Sequence, residues 1–167
     1  MKRDNWAAEA ELTRLFGEVI GILDPNPMRD GLDETPARAA AAFMTYTCGY
    51  EVDTKALLKA FEGGNGQTTV SVKDIPFYSM CEHHLAPFFG KATITYRPAG
   101  DRVVGLSKLA RLLEAHSRRL QVQERIGFAV AKDIMDVLRP RWVSVTLEAA
   151  HMCMCSRGAR AHGATTQ

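Results

Sequence analysis

The first third of this chain repeats its apolar residues at helical spacing, and segments after residue 67 alternate them, which demands an α+β arrangement with helices and sheet sharing one core. Following Leu12, residues Leu15, Phe16, Val19, Ile20 and Leu23 keep the i, i+3, i+4, i+7 pattern, and D-P-N-P closes a helix expected to bury one face. Thr35 and Pro36 read as an N-cap and a first-turn proline, starting a helix that runs through the alanines to Cys48 and stops at Gly49, with Arg38 in its first turn. Asp53 can cap a shorter helix reaching Phe61, and E-G-G-N-G-Q over 62–67 is a loop by composition.

Residues 68–80 are rich in β-branched and aromatic side chains and 91–97 (K-A-T-I-T-Y-R) alternate, so both predict strands. Two helices should lie on that sheet. One starts near Ser107 with Leu109, Leu112 and Leu113 inward; the other carries Ile126, Val130, Ile134, Val137 and Leu138 on one stripe. After R-P-R, residues 142–155 predict a third strand on which His151, Cys153 and Cys155 share a face with Val143, Val145, Leu147 and Ala149. The expected division is an N-terminal helical segment over 1–66 and a core over 67–167 within one structural unit, because 167 residues are too few for two full-sized domains.

The 21 Lys and Arg against 19 Asp and Glu give no general field favouring nucleic acid or an acidic membrane, so any polyanion site must be local. The opening M-K-R-D-N-W-A-A-E-A-E has acidic residues where a signal peptide needs an apolar run, and no stretch approaches the ~18 apolar residues of a membrane span. A cytoplasmic protein is expected. Four cysteines, at 48, 81, 153 and 155, without an export signal favour metal or nucleophile roles over disulfides.

Cys81 and His84 form a C-x-x-H pair that can chelate one ion only if the backbone bends there, since residues three apart on a straight strand face opposite sides. The distant H-M-C-M-C supplies more soft ligands. Two cysteines and one histidine would leave the fourth position of a tetrahedral zinc open, the arrangement of catalytic sites, where bound water has a pKa near ~7. Strand parity leaves His151, Cys153 and Cys155 equal as third ligand.

Four blocks in order, C-E-H-H-L-A-P-F-F-G-K, V-G-L-S-K-L-A-R, R-L-Q-V-Q-E-R and E-A-A-H-M-C-M-C-S-R-G, together with L-D-P-N-P-M-R-D-G-L-D-E-T-P-A-R upstream, closely resemble GTP cyclohydrolase I. The resemblance implies the tunnelling fold: an antiparallel sheet with two helices packed on it after an N-terminal helical segment, commonly assembled as a decamer of two pentamers with sites at subunit boundaries. It implies zinc on Cys81, His84 and Cys153, leaving Cys155 a spare thiol and Cys48 a packing residue. The implied reaction is hydrolysis of GTP at C8 to 7,8-dihydroneopterin triphosphate and formate, the first step of tetrahydrofolate and pterin biosynthesis.

The same resemblance makes His83 and His151 the catalytic histidines, the former protonating the purine and the latter assisting ring opening and the sugar steps; imidazole suits both tasks because it titrates near neutral pH. Glu124 falls on the guanine anchor, where one carboxylate can accept from both N1–H and the exocyclic amine, with Gln123 beside it as a further substrate contact. Ser107, Lys108, Arg111, Arg157 and Arg38 match positions that bind triphosphate, for which arginine offers two-pronged geometry. Lys108 and Arg111 would share a helix face.

Two departures stand out. The family commonly carries lysine three residues beyond Arg38, where this chain has Ala41, so weaker phosphate binding or an altered substrate is expected. The family also usually continues past A-T-T with another strand and a helix, so its last strand is expected to be missing here, exposing a sheet edge. The rival readings are a related tunnelling-fold enzyme acting on another purine or pterin, and a noncatalytic homologue that binds nucleotide and keeps zinc for structure.

Overall fold

The computed structural model describes residues 5–63 and 67–167. The readings placed on residues 1–4, and on 64–66 of the E-G-G-N-G-Q stretch, lie outside the described residues.

Helix α1 (Asn5–Leu23) begins earlier than the apolar period suggests, and none of its residues is buried. This corrects the expected buried face: the helix rests one side on α2 (Thr35–Tyr46), with the Phe16 and Phe43 rings 5.0 Å apart, while Ile22 and Leu23 stay largely exposed. Helix α2 has its cap at Glu34 instead of Thr35 and stops at Tyr46, after which Cys48–Glu51 form a 3-10 turn. Cys48 is therefore exposed and not a buried packing residue, contrary to expectation. Gly49 explains the tight turn, since its N–H donates to the Arg118 carbonyl at 2.9 Å and an added Cβ would lie 2.2 Å from the Ala115 oxygen.

Asp53 caps α3 (Thr54–Leu57) by accepting from the Ala56 N–H at 3.1 Å, as read from the sequence. The helix does not reach Phe61. Residues Ala60–Glu62 instead form strand β1, paired antiparallel with β4 (Arg102–Val104), so the first 66 residues are not wholly helical. Leu58 is buried in the common core, joining this segment to the sheet that follows.

That sheet has five strands in the order β5-β2-β3-β6-β7. Its long members are β2 (Val70–Cys81), β3 (Pro87–Arg97) and β6 (Trp142–His151), successively antiparallel. Strand β5 (Leu120–Gln121) pairs parallel with Met80 and Cys81, while β7 (Thr165–Thr166) pairs antiparallel with Ala149 and Ala150. A register shift between Val72 and Ile75, with Asp74 at φ 54°, bends β2 and adds to its curl.

Helices α4 (Leu106–Ser117) and α5 (Gln123–Leu138) cover one face, as their leucine and isoleucine stripes predict. Leu109, Leu112, Leu113, Ile126, Val130 and Ile134 meet Phe77, Phe88, Ile94 and Tyr96 of the sheet, forming the buried centre. Alternation along β3 supplies the other half of that contact: Phe88, Ala92, Ile94 and Tyr96 are all buried. No described helix is long and apolar enough to cross a membrane.

The strand expected over 142–155 ends at His151, and Met152–Cys155 form a helical turn, α6. Unbranched Met and Cys favour no extended backbone, and the turn is closed by the Ser156 hydroxyl on the Met152 carbonyl at 2.6 Å. His151, Cys153 and Cys155 consequently do not share a strand face.

Candidate metal centre and substrate site

Strand β2 delivers Cys81 to one end of the sheet and stops there, so the chain does turn where the C-x-x-H spacing requires. The Cys81 N–H donates to the Ala86 carbonyl at 2.8 Å and its own carbonyl accepts from the Leu85 N–H at 2.9 Å; Leu85 takes φ 51° to complete the reversal. This tight loop puts the Nδ1 atoms of both His83 and His84 near the Cys81 sulfur, at 3.8 and 3.7 Å. The third donor arrives from α6, whose helical turn swings Cys153 inward immediately after β6 ends.

Ligand atoms of Cys81, His84 and Cys153 all lie within 4.8 Å of one another. With metal–sulfur and metal–nitrogen bonds of about 2.3 and 2.0 Å, a tetrahedral ion separates its donors by roughly 3.5 Å, close to the Cys81–His84 spacing. Burial raises the pKa of the Cys153 thiol, and the neighbouring Cys81 sulfur raises it further. A nearby cation would offset that rise for Cys153, and two sulfurs with an imidazole suit a metal ion with a taste for soft ligands. Cys155 turns away from it, its thiol directed to the Ala161 carbonyl at 3.3 Å.

The first turn of α5 borders this centre on two sides. Arg125 forks onto Glu82 with Nη–Oε distances of 2.5 and 3.1 Å, tying the loop between Cys81 and His84 to the helix and holding the Glu82 carboxyl below its ordinary range. Gln123, almost fully buried, accepts at Oε1 from the His151 ring at 2.8 Å and donates from Nε2 to the carbonyls of Leu147 and Thr166. His151 also stacks on Phe88, ring centroids 4.6 Å apart and planes 5° from parallel. Burial lowers the His151 pKa, with the nearby Glu124 charge acting the other way. Glu124 itself is exposed beside a cleft of about 280 Å³ between α5 and β6, also bordered by Gly127, Phe128 and Thr166.

The phosphate-binding candidates divide. Arg157 lies near Cys153, whose thiol feels its charge. Arg38 is on the exposed face of α2, ion-paired with Glu34. Ser107, Lys108 and Arg111 occupy the first turns of α4; the start of that helix lines a cavity with Val70, the opposite end of β2 from Cys81, while Arg111, one turn on, lines a cleft with Ile75, Phe77 and Tyr78. Ten residues of helix separate Ser107 from Ser117, or about 15 Å, before the chain reaches β5 beside Cys81. One chain thus brings together Cys81, His83, His84, Gln123, Glu124, His151 and Cys153, but keeps Ser107, Lys108 and Arg111 apart from them.

Sequence reasoning did not single out Glu82, Arg125 or Phe88 as site residues. Each lies inside a block that carries the resemblance, yet nothing in residue type announces a pairing across 43 positions or a ring stacked from the next strand.

The model of the family described as GTP cyclohydrolase I matches residues 12–167. A GTP cyclohydrolase 1 of Streptococcus agalactiae is 44% identical over 158 residues, covering 95% of this chain and 84% of the relative. One from Halalkalibacterium halodurans is 47% identical over 148 residues, 89% of this chain and 79% of the relative. Another, from Bacillus mycoides, is 50% identical over 153 residues, 92% and 79%. Matching in sequence along nearly its whole length and carrying an α+β sheet-and-helix core consistent with the tunnelling fold, this chain belongs to the GTP cyclohydrolase I family.

Proposed function

We propose that this chain is a GTP cyclohydrolase I, a zinc-dependent hydrolase that opens GTP at C8 to yield formate and 7,8-dihydroneopterin triphosphate, the first step of tetrahydrofolate and pterin biosynthesis, in the cytoplasm. The observation that carries the reading is the convergence of Cys81, His84 and Cys153 donors within 4.8 Å at the end of β2. Residues 67–167 would form the catalytic core and 1–66 its N-terminal segment.

When bound by Cys81, His84 and Cys153, zinc would supply Lewis acidity that makes water a nucleophile near neutral pH. The chain's own residues do the rest. His83, exposed beside Cys81, is free to deliver a proton to purine N7, which makes C8 electrophilic. Glu124 accepts from the guanine N1–H and amine, orienting the base and rejecting adenine. His151, held against Phe88, takes and returns protons during ring opening and the sugar steps. Arg157, next to the centre, meets the phosphates with Arg38.

Ser107 and Lys108 lie toward the far end of their own β2 and Arg111 beside its middle, away from the Cys81 cluster. In this reading a second copy contributes them, so the active form is a homo-oligomer, a decamer of two pentamers in keeping with the family, with each site shared between chains.

Metal analysis paired with GTP turnover tests the reading. The expected result is bound zinc, formate release and a product that becomes fluorescent on oxidation; zinc-loaded protein that releases no formate from GTP would overturn it.

A further inference from the structure

Gln123 stands in the first turn of α5 with a side chain that is only 6% exposed, and every polar atom it carries is committed to protein. Its Nε2 lies 3.0 Å from the Leu147 carbonyl and 3.1 Å from the Thr166 carbonyl. Backbone carbonyls only accept, so this end of the amide must be the NH2 group, and both of its hydrogens are used. The opposite end, Oε1, faces His151 Nε2 at 2.8 Å and can only accept. The hydrogen between them therefore belongs to the imidazole.

We infer that Gln123 is a positioning residue, not a substrate contact: its buried amide holds His151 as the ring that carries its hydrogen on Nε2 and presents a bare lone pair at Nδ1. The inference rests on the proposed role of His151 in the reaction. Three constraints act together. The Phe88 stack fixes the plane of the ring, the hydrogen bond fixes its rotation within that plane, and the polarity of the amide fixes which nitrogen is protonated. Flipping the amide to accommodate the other tautomer would set its oxygen against two carbonyl oxygens in a buried place, which is costly.

The result has direct chemical content. His151 Nδ1 has no hydrogen-bond partner among the described residues and is not one of the buried polar atoms left without one. It is the nitrogen available to a ligand, and it arrives as an acceptor. His151 then meets a ligand through Nδ1, while Nε2 keeps its hydrogen on Gln123. The amide also links this histidine to the sheet edge, since the Thr166 carbonyl belongs to β7, which pairs beside His151 at Ala149 and Ala150.

The test is nitrogen NMR of zinc-loaded protein labelled only at histidine, of which there are five, with the His151 signals assigned by their loss in His151→Asn. The expected spectrum of the unaltered chain has His151 protonated at Nε2 and bare at Nδ1; the reverse tautomer, or an averaged one, overturns the inference even if the protein hydrolyses GTP. In Gln123→Met, nearly the same size but unable to accept, the two ring nitrogens should move toward averaged shifts. The same variant should lose about tenfold or more in kcat, with KM for GTP changing much less. A raised KM with kcat intact and the His151 signals unmoved would return Gln123 to the guanine pocket. A shifted tautomer with kcat intact would remove it from the reaction. Should the chain fail to hydrolyse GTP at all, the tautomer of the unaltered protein still decides whether the amide acts as described.

Discussion

The two ends of β2 carry opposite kinds of site. At the Cys81 end the supporting groups are tied, the loop to Arg125, His151 to Gln123 and Phe88, the Cys153 thiol to Cys81, while His83 and Glu124 stand exposed. Toward the Val70 end Ser107 stands exposed and Lys108 partly covered at the start of α4, with Arg111 exposed one turn on beside the middle of β2. The first arrangement holds side chains in set positions; the second offers exposed charge. Under the proposed function, the open half is the one received from a neighbouring copy.

The sharpest way to break this comparison is to remove a donor from the tied end. Cys153→Ser should abolish zinc retention and lower kcat/KM by about a thousandfold or more, because two remaining ligands cannot hold the ion against water. Metal analysis alongside turnover checks it, and a variant that keeps its zinc would send the third-ligand role back to Cys155 or His151.

At the open end the expected effect is smaller and of another kind. Arg111→Ala should raise KM for GTP about ten- to a hundredfold while largely sparing kcat, the scale of one or two charge-assisted hydrogen bonds to phosphate. Mixing it with Cys153→Ser chains, then dissociating and reassembling the two, should recover, at GTP well below the raised KM, turnover that neither variant shows there alone, since some sites would draw the metal end from one copy and the cations from the other. Absence of any recovery would mean that each chain serves its own nucleotide, and the separation along β2 would have to close by movement.

How much of this was legible in sequence follows the same division. The C-x-x-H turn, the α4 and α5 stripes and the long strands could be read because each is set by spacing within a few residues. What escaped depends on partners distant in sequence. Parity placed His151, Cys153 and Cys155 on one strand face, but the Ser156 hydroxyl and the chain reversal through Gly158 and Gly163 favour a helical turn that no period reports. Strands β4, β5 and β7 have two or three residues each, too few to alternate detectably. Gln123 reads as a polar residue in a first helical turn until Leu147 and Thr166 close around its amide.

Between these extremes lies the Arg125–Glu82 clamp. Both side chains are partly exposed, so the pair adds little to overall stability, yet it holds the loop that presents His83 and His84. Arg125→Met should weaken zinc binding about tenfold, as loss of an outer partner of a metal site commonly does, while leaving thermal unfolding of the metal-free chain nearly unchanged. Competition with a chelator measures the first and a melting curve the second; a large change in the metal-free melt would make the clamp a stability device instead.

The smallest effect belongs to the contact that joins the two helices behind both ends. His116 of α4 donates from Nε2 to the Asp133 carboxylate of α5 at 2.8 Å, and both side chains are buried. Burial lowers the histidine pKa, opposed by Asp133 and assisted by the Arg119 charge, so the folded chain binds this proton less readily than the unfolded chain, whose imidazole titrates near 6.5. Where the unfolded state holds more protons, stability rises with pH. The folded chain should therefore lose stability as pH falls below about 6.5, levelling off once the buried ring is itself protonated. His116→Gln keeps a donor for Asp133 and removes the titration, so its melting temperature should fall less between pH 7 and 5, by a margin on the order of a few °C for a chain this long. Equal losses in both proteins would move the acid sensitivity elsewhere. A loss confined to the unaltered chain would show that the helix pair carrying both halves of the site is held by an uncharged histidine.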